Sequence, residues 1–227
     1  TPHRRSFWRA SLAALPWRLL PSPVPCVLAA GIAIAAPAVS AFAQEGTVIT
    51  RGSAQQRASG SVVEEVDSLP VVRPDFPVPD DPGMVFYLQR STNSNTVVYA
   101  ARFLDDGKLD PRQPIVAYWR RFNTTGERLA LKMIEDSFAF GVRARATDDP
   151  DVFSLYVVSY PERRATLRLV EPGRAELLLP VDGRQMRMRY AYVDVDESGL
   201  MPSVREVVVT GHDTQTGRAL VERIQIE

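Results

Sequence analysis

From residue 83 to the end of the chain, short apolar runs alternate with polar residues, and turn signals interrupt them about every eight to twelve positions. Links this short favour antiparallel neighbours. The sequence therefore predicts a single, mainly β domain over 83–227: an antiparallel β-barrel or barrel-like meander with one short helix, or alternatively a two-sheet β-sandwich. The predicted strands are 84–90, 96–104, 115–122, 138–143, 152–160, 164–170, 174–179, 184–195, 204–211 and 219–226.

The alternation also predicts which side chains face the core. In 164–170, Ala165, Leu167 and Leu169 occupy every second position and are expected on one face. In 184–195, the same spacing is expected to place four large side chains on one face, namely Met186, Met188, Tyr190 and Tyr192. A domain of this length buries enough surface to be stable without disulfides.

One segment has helical rather than strand spacing. Thr124 precedes Glu127 by three residues, which is the arrangement of a capping box. Leu129, Met133 and Ile134 then recur at helical spacing. The sequence therefore predicts a helix of about two to three turns that ends near Glu135.

The first 43 residues, 1–43, have the pattern of a signal peptide. Basic residues come first, and 26–40 is an apolar run of small residues that is short for a bilayer span. Ala41 and Ala43 supply the small side chains that a signal peptidase accepts. We expect cleavage after Ala43 and an exported protein in the periplasm or cell envelope, with no stable membrane insertion after cleavage. An uncleaved helical anchor is the alternative.

Residues 44–82 are rich in polar and charged side chains, and five prolines occur between Pro70 and Pro82. Proline fixes φ and has no backbone N–H to donate. The segment is therefore predicted to be a disordered, proline-rich tether, with a marginal helix or an added strand over 61–69 as alternatives.

Composition limits the chemistry that the chain can perform. The chain has 27 basic and 27 acidic residues. All the acidic residues follow Ala43, whereas four of the arginines precede it, so the exported part carries a slight negative net charge. No nucleic-acid partner is therefore expected. The single cysteine, Cys26, lies in the leader, and His212 is the one histidine after it. We expect no disulfide, no metal site and no cofactor, and we expect His212 to be a turn residue.

Four segments carry a family pattern. They are an aromatic strand with Arg-Ser-x-Asn-x-Asn at 86–99, a Tyr-Trp strand within 104–119, a Phe-Gly pair within 131–142, and Tyr160-Pro161 with Arg163. In these segments the chain resembles the domain-of-unknown-function family 4833, exported bacterial domains of about this length. The resemblance leads us to expect Tyr-Gly where this chain has Phe140-Gly141. The family carries no assigned activity, so the resemblance implies a domain type and not a reaction.

The first functional hypothesis is a non-catalytic envelope domain that binds a small anionic or sugar ligand in the barrel mouth. A guanidinium fork and adaptable amides suit such ligands, and the expected binding residues are Arg90, Asn93, Asn95 and Arg120. In the alternative interpretation the asparagines only build a turn, and the arginines pair with Glu127, Glu135 or Asp136.

The second hypothesis is an interaction module that docks on an envelope protein. The third is a hydrolase of envelope glycans that uses Glu127, Glu135 and Asp136, because paired carboxylates can perform glycosidase-like acid and base chemistry. No catalytic signature is present in the sequence, so we assign no catalytic residue and favour a binding role.

Overall fold

The computed structural model describes residues 58–198 and 203–226, which belong to one compact unit, Gln44–Glu227. The predicted signal peptide and its cleavage site lie outside the described residues. The elements in chain order are β1 Ala58–Val66, β2 Met84–Arg90, β3 Asn93–Ala101, β4 Ile115–Arg120, β5 Arg128–Ala130, α1 Met133–Phe138, β6 Val142–Ala146, β7 Val152–Val157, β8 Ala165–Glu171, β9 Arg174–Val181, β10 Arg184–Asp196, β11 Ser203–Asp213 and β12 Ala219–Ile226.

The twelve described strands form one sheet that branches at β10. One edge of β10 pairs with β11 along its length. The other edge is shared, because β9 pairs antiparallel with residues 184–187 and β2 pairs parallel with residues 190–193. Two arms, β2-β3-β4-β5 and β9-β8-β7-β6, curl from this branch into a half-barrel, and β11-β12-β1 continues the sheet on the other side. The predicted barrel-like, mainly β fold with one short helix is confirmed, and the sheet is single rather than a sandwich.

The inner face of the sheet carries the main core. In β8, Ala165 and Leu167 are buried and Leu169 packs against the same cluster, as the alternation predicts. The β9–β10 hairpin turns at Asp182 and Gly183, which both have positive φ, at 47° and 74°. This is the geometry of a two-residue turn whose twist matches that of the strands it joins.

The prediction that Tyr190 and Tyr192 share a face with the methionines of β10 is wrong. The pairing of β10 with β11 shifts between Met188 and Tyr190, which leaves Arg189 as an extra residue. A β-bulge of this kind reverses which face each later side chain occupies. Met186 and Met188 therefore lie in the main core, whereas the two tyrosines form a second cluster on the outer face.

The predicted helix is displaced towards the C-terminus. Residues 128–130 form β5, which pairs with the otherwise open edge of β4, and α1 begins only at Met133. The glutamate that caps α1 is Glu135, whose Oε2 accepts from the Lys132 backbone N–H at 2.8 Å. The strand predicted over 138–143 is wrong for the same reason, since α1 extends to Phe138 and β6 begins at Val142. The link between the first two predicted strands, 91–95, is also shorter in the structure, because β3 begins at Asn93.

The prediction of a disordered tether is wrong for its described part, 58–82. Residues 58–66 form the added strand β1, which pairs with β12. Residues 69–82 form neither helix nor strand but lie as a strap across the outer face. The Tyr190 hydroxyl donates to the Pro70 carbonyl and the Gln89 side-chain amide donates to Pro77 O at 3.2 Å. The strap is ordered because the outer tyrosine cluster needs an apolar cover, and Val72 supplies part of it.

Candidate functional site

The curled sheet holds a cavity of about 830 Å³ on its inner face. The wall comes from β2, β7, β9, β10, β11 and β12, from the β7–β8 connection and from the end of α1. Most of its side chains are aliphatic or aromatic, among them Phe86, Leu88, Leu155, Leu177, Met188 and Ile224. This volume lies within the range of roughly 300–1,000 Å³ that is typical of sites for one small molecule.

Arg90, the last residue of β2, brings a positive charge to this wall. The residue is only 3% exposed. Its guanidinium carbon lies 5.1 Å from the ring centre of Trp119 and 5.6 Å from that of Phe140. Burial lowers the pKa of Arg90, and the negative charge of Glu135 opposes this shift. An arginine stays protonated in such surroundings because its guanidinium is a very weak acid.

Two buried hydrogen bonds fix the aromatic groups around Arg90. Glu135 is 4% exposed, and its Oε2 accepts from Trp119 Nε1 at 3.1 Å. The Tyr99 hydroxyl donates to Phe140 O at 2.8 Å, and burial raises the pKa of that hydroxyl well above its usual value. The Trp119 and Phe140 rings meet edge to face. These bonds tie the segment around α1 to β3 and β4.

A second arginine on the wall, Arg163, comes from the β7–β8 connection. It forms an ion pair with Glu222 of β12, and the two side chains are 26% and 2% exposed. Glu222 lies between Leu220 and Ile224, which both belong to the main core. This pair was not predicted from the sequence, although a carboxylate in the apolar row of β12 was its visible signal.

The cavity reaches the surface beside α1. Phe138 lines the cavity and is also 67% exposed, so it marks the opening. Met133 and Ile134, on the same helix, are 81% and 46% exposed. Of these exposed apolar residues of α1, only Phe138 lines the cavity.

The structure brings only two of the four predicted ligand-binding residues next to each other, because Arg90 and Asn93 are opposite residues of the β2–β3 hairpin. Arg90 lines the cavity, whereas Arg120 lies on the opposite face of the sheet, where its Nη1 is 3.3 Å from Asp81 Oδ1. Asn93 Oδ1 accepts from the Asn95 backbone N–H at 3.0 Å, which is a local turn bond. Asn95 is buried, and its Oδ1 accepts from the backbone N–H of residue 123 at 3.1 Å.

Each of the three carboxylates considered for hydrolysis has a different environment. Glu135 is held by Trp119 and by the start of α1. Asp136 pairs with Arg143 at 3.0 Å and lines a smaller groove of about 470 Å³ between β4 and β6. Glu127 is exposed to solvent. Within the described residues, no group of three or more potential metal ligands lies close together.

His212 lies within β11, one residue before the strand ends, and pairs with Arg187 of β10. It is half-buried, and its pKa is lowered by burial and by the charges of Arg189 and Arg187. The turn follows at 214–216 rather than at the histidine itself. In the part of the chain that the structure describes, no helix has the length and hydropathy of a bilayer span.

A protein-family model described as a domain of unknown function, DUF4833, matches residues 86–223. The chain belongs to this family. The matched range runs from β2 into β12 and so includes Arg90, Arg163 and Glu222 of the DUF4833 domain. Searches of curated proteins and of solved structures found no match.

Proposed function

We propose that this DUF4833 domain is a non-catalytic module that binds one small molecule in the inner cavity, with Arg90 as the polar anchor of the site. The observation that carries the proposal is a buried guanidinium on the wall of an otherwise apolar cavity. Burying a charge is costly unless neighbouring groups compensate it. The rings of Trp119 and Phe140 and the charge of Glu135 provide that compensation around Arg90.

We also place this activity outside the cytoplasm. Residues 1–43 read as an export signal, and the segment after them has no cysteine and one histidine. A binding module of this kind needs no thiol, metal or cofactor. Docking on another envelope protein stays a compatible second role.

The test uses anilinonaphthalene sulfonate, an apolar dye with an anionic group whose emission rises in apolar surroundings. The purified protein should bind the dye at a single saturable site. Ala191 is 5% exposed and lines the cavity, so Ala191→Trp should fill part of the cavity and abolish the binding. Ala144 is exposed and lines the smaller groove, so Ala144→Trp is the matched control and should bind as the unchanged protein does.

Two results would refute the proposed function. The first is saturable binding that survives Ala191→Trp and disappears with Ala144→Trp, which would place the site in the smaller groove. The second is no saturable binding by a protein whose circular dichroism shows a folded β-sheet. Circular dichroism of both variants establishes that each has folded.

A further inference from the structure

The cavity wall has the chemistry of a site for an apolar molecule more than that of a site for a sugar. Sugars expose hydroxyl groups all round and need several donors and acceptors from the protein. Here the polar side chains of the wall are confined to Arg90 and to residues 159–163 of the β7–β8 connection, and the remaining side chains are apolar. A sugar in this cavity would leave hydroxyl groups without partners.

The protein itself compensates the charges of both arginines of the wall. Arg90 lies beside Trp119, whose Nε1 donates to the buried Glu135 at 3.1 Å. The negative charge of Glu135 favours the protonated form of Arg90 and so raises its pKa, against the effect of burial. Arg163 pairs with Glu222, a carboxylate that is 2% exposed. Each arginine therefore has a buried carboxylate as its counter-charge.

This balance of charge disfavours an ionic ligand. An ion that leaves water for an apolar cavity loses its hydration, and an opposite charge in the protein is needed to offset that loss. Arg90 and Arg163 already have counter-charges, so a carboxylate or phosphate would be buried without one of its own. The remaining charged residue of the wall, Glu162, is exposed to solvent and is itself negative. An uncharged ligand incurs no such loss.

We propose that the ligand is an uncharged, largely apolar molecule with few polar groups. This inference rests on the proposed function, because it uses the same cavity and the same anchor. A guanidinium has five N–H groups, so Arg90 can donate to a hydroxyl or carbonyl oxygen of the ligand while its charge stays balanced. The volume of about 830 Å³ suits one molecule of this kind.

The first test compares two dyes that differ by one charged group. N-Phenyl-1-naphthylamine is anilinonaphthalene sulfonate without its sulfonate, and its emission also rises in apolar surroundings. Both dyes should bind the purified protein at one saturable site, and the uncharged dye should bind at least about tenfold more tightly because it loses no ionic hydration. Ala191→Trp should abolish its binding and Ala144→Trp should not, which assigns the site to the cavity.

The second test varies the head of one alkyl chain. Dodecan-1-ol, dodecanoate and dodecyltrimethylammonium are each used to displace the uncharged dye at about pH 8, where a carboxylate is ionised. The alcohol should bind at least about tenfold more tightly than either ion, since only the ions lose hydration on entering the cavity. The cation is included because the negative Glu162 lines the cavity.

A single substitution should change this preference. Glu135→Gln keeps the shape of the side chain and one carbonyl oxygen but removes the negative charge that acts on Arg90. The affinity for dodecanoate relative to dodecan-1-ol should then rise at least about tenfold. Glu176→Gln is the matched control, because Glu176 is also a buried carboxylate that pairs with arginines, but it lies outside the cavity wall. The control should leave the relative affinity unchanged.

Binding of the sulfonate dye, dodecanoate or the cation that is as tight as that of its uncharged counterpart would overturn the assignment of an uncharged ligand. So would a relative affinity that Glu135→Gln leaves unchanged in a folded protein. If Glu135→Gln does not fold, the dyes and the alkyl heads bound by the unchanged protein still decide. A protein that binds the sulfonate dye in the cavity but neither the uncharged dye nor the alcohol would keep the proposed binding function and lose the ligand class. Failure to bind both dyes and all three alkyl probes would overturn both.

Discussion

In the buried pair Arg163–Glu222, removing the arginine should lower the free energy of unfolding more than neutralising the glutamate does. Arg163→Ala leaves the Glu222 carboxylate, 2% exposed, without its cation between two core residues. Breaking a buried pair in this way costs about 3–5 kcal/mol, and we expect the lower end because the Arg163 side chain is 26% exposed and admits water. Glu222→Gln leaves an arginine that can turn to solvent, so we expect about 1–2 kcal/mol.

The double substitution Arg163→Met with Glu222→Leu removes both charges and should restore stability to within about 1 kcal/mol of the unchanged protein. Urea unfolding followed by Trp119 emission gives the free energy of unfolding of each protein. With the single variants Arg163→Met and Glu222→Leu added, the same measurement gives the coupling between the two sites. The reasoning fails if Glu222→Gln costs more than Arg163→Ala. It also fails if the double variant is as unstable as the sum of the single ones, because that would mean that the two charges do not interact.

Three further predictions concern single residues. Tyr99→Phe should lower the free energy of unfolding by about 1–3 kcal/mol, since it deprives the Phe140 carbonyl of its buried donor, and unchanged stability in urea would contradict this bond. Gly141→Ala should destabilise by more than Tyr99→Phe, because an added Cβ would lie 1.8 Å from Asp136 O; a thermal midpoint equal to that of the unchanged protein would disprove the contact. The lowered pKa of His212 means that the folded state resists its protonation, so stability should be full above about pH 6.5 and fall as the pH drops below it. His212→Gln should reduce the dependence of the thermal midpoint on pH between pH 7 and 5. If this variant has the same pH dependence as the unchanged protein, the histidine is not the cause of that dependence.

Periodicity predicted the regular strands well because their side chains alternate without interruption. The bounds predicted for β2 and β12 are those of the structure. The family pattern, which begins within β2, was recognised from the sequence and is confirmed by the family match. Arg90 was predicted as a ligand-binding residue from the amides that follow it. The structure places it in a cavity wall that those amides do not form.

The features that sequence reasoning missed depend on contacts between distant segments. A glutamate lies three residues after Thr124 and also after Lys132, and only the pairing of β5 with β4 excludes the earlier helix start. The strap over 69–82 is ordered by a tyrosine cluster more than a hundred residues later, at Tyr190. The pair Arg163–Glu222 joins a connection to the last strand, so no local spacing predicts it.

The extra residue Arg189 divides β10 into two parts that differ in which positions face the core. Before it, the even-numbered positions Met186 and Met188 must be apolar to fill the core; after it, the cavity is lined from odd-numbered positions that include Ala191. Polar substitutions should therefore disturb the main core at even-numbered positions before Arg189 and at odd-numbered positions after it. Deleting Arg189 would leave Met188 facing inward, Tyr190 outward and Ala191 inward in regular alternation, so β10 should lose this one residue without exchanging its two faces.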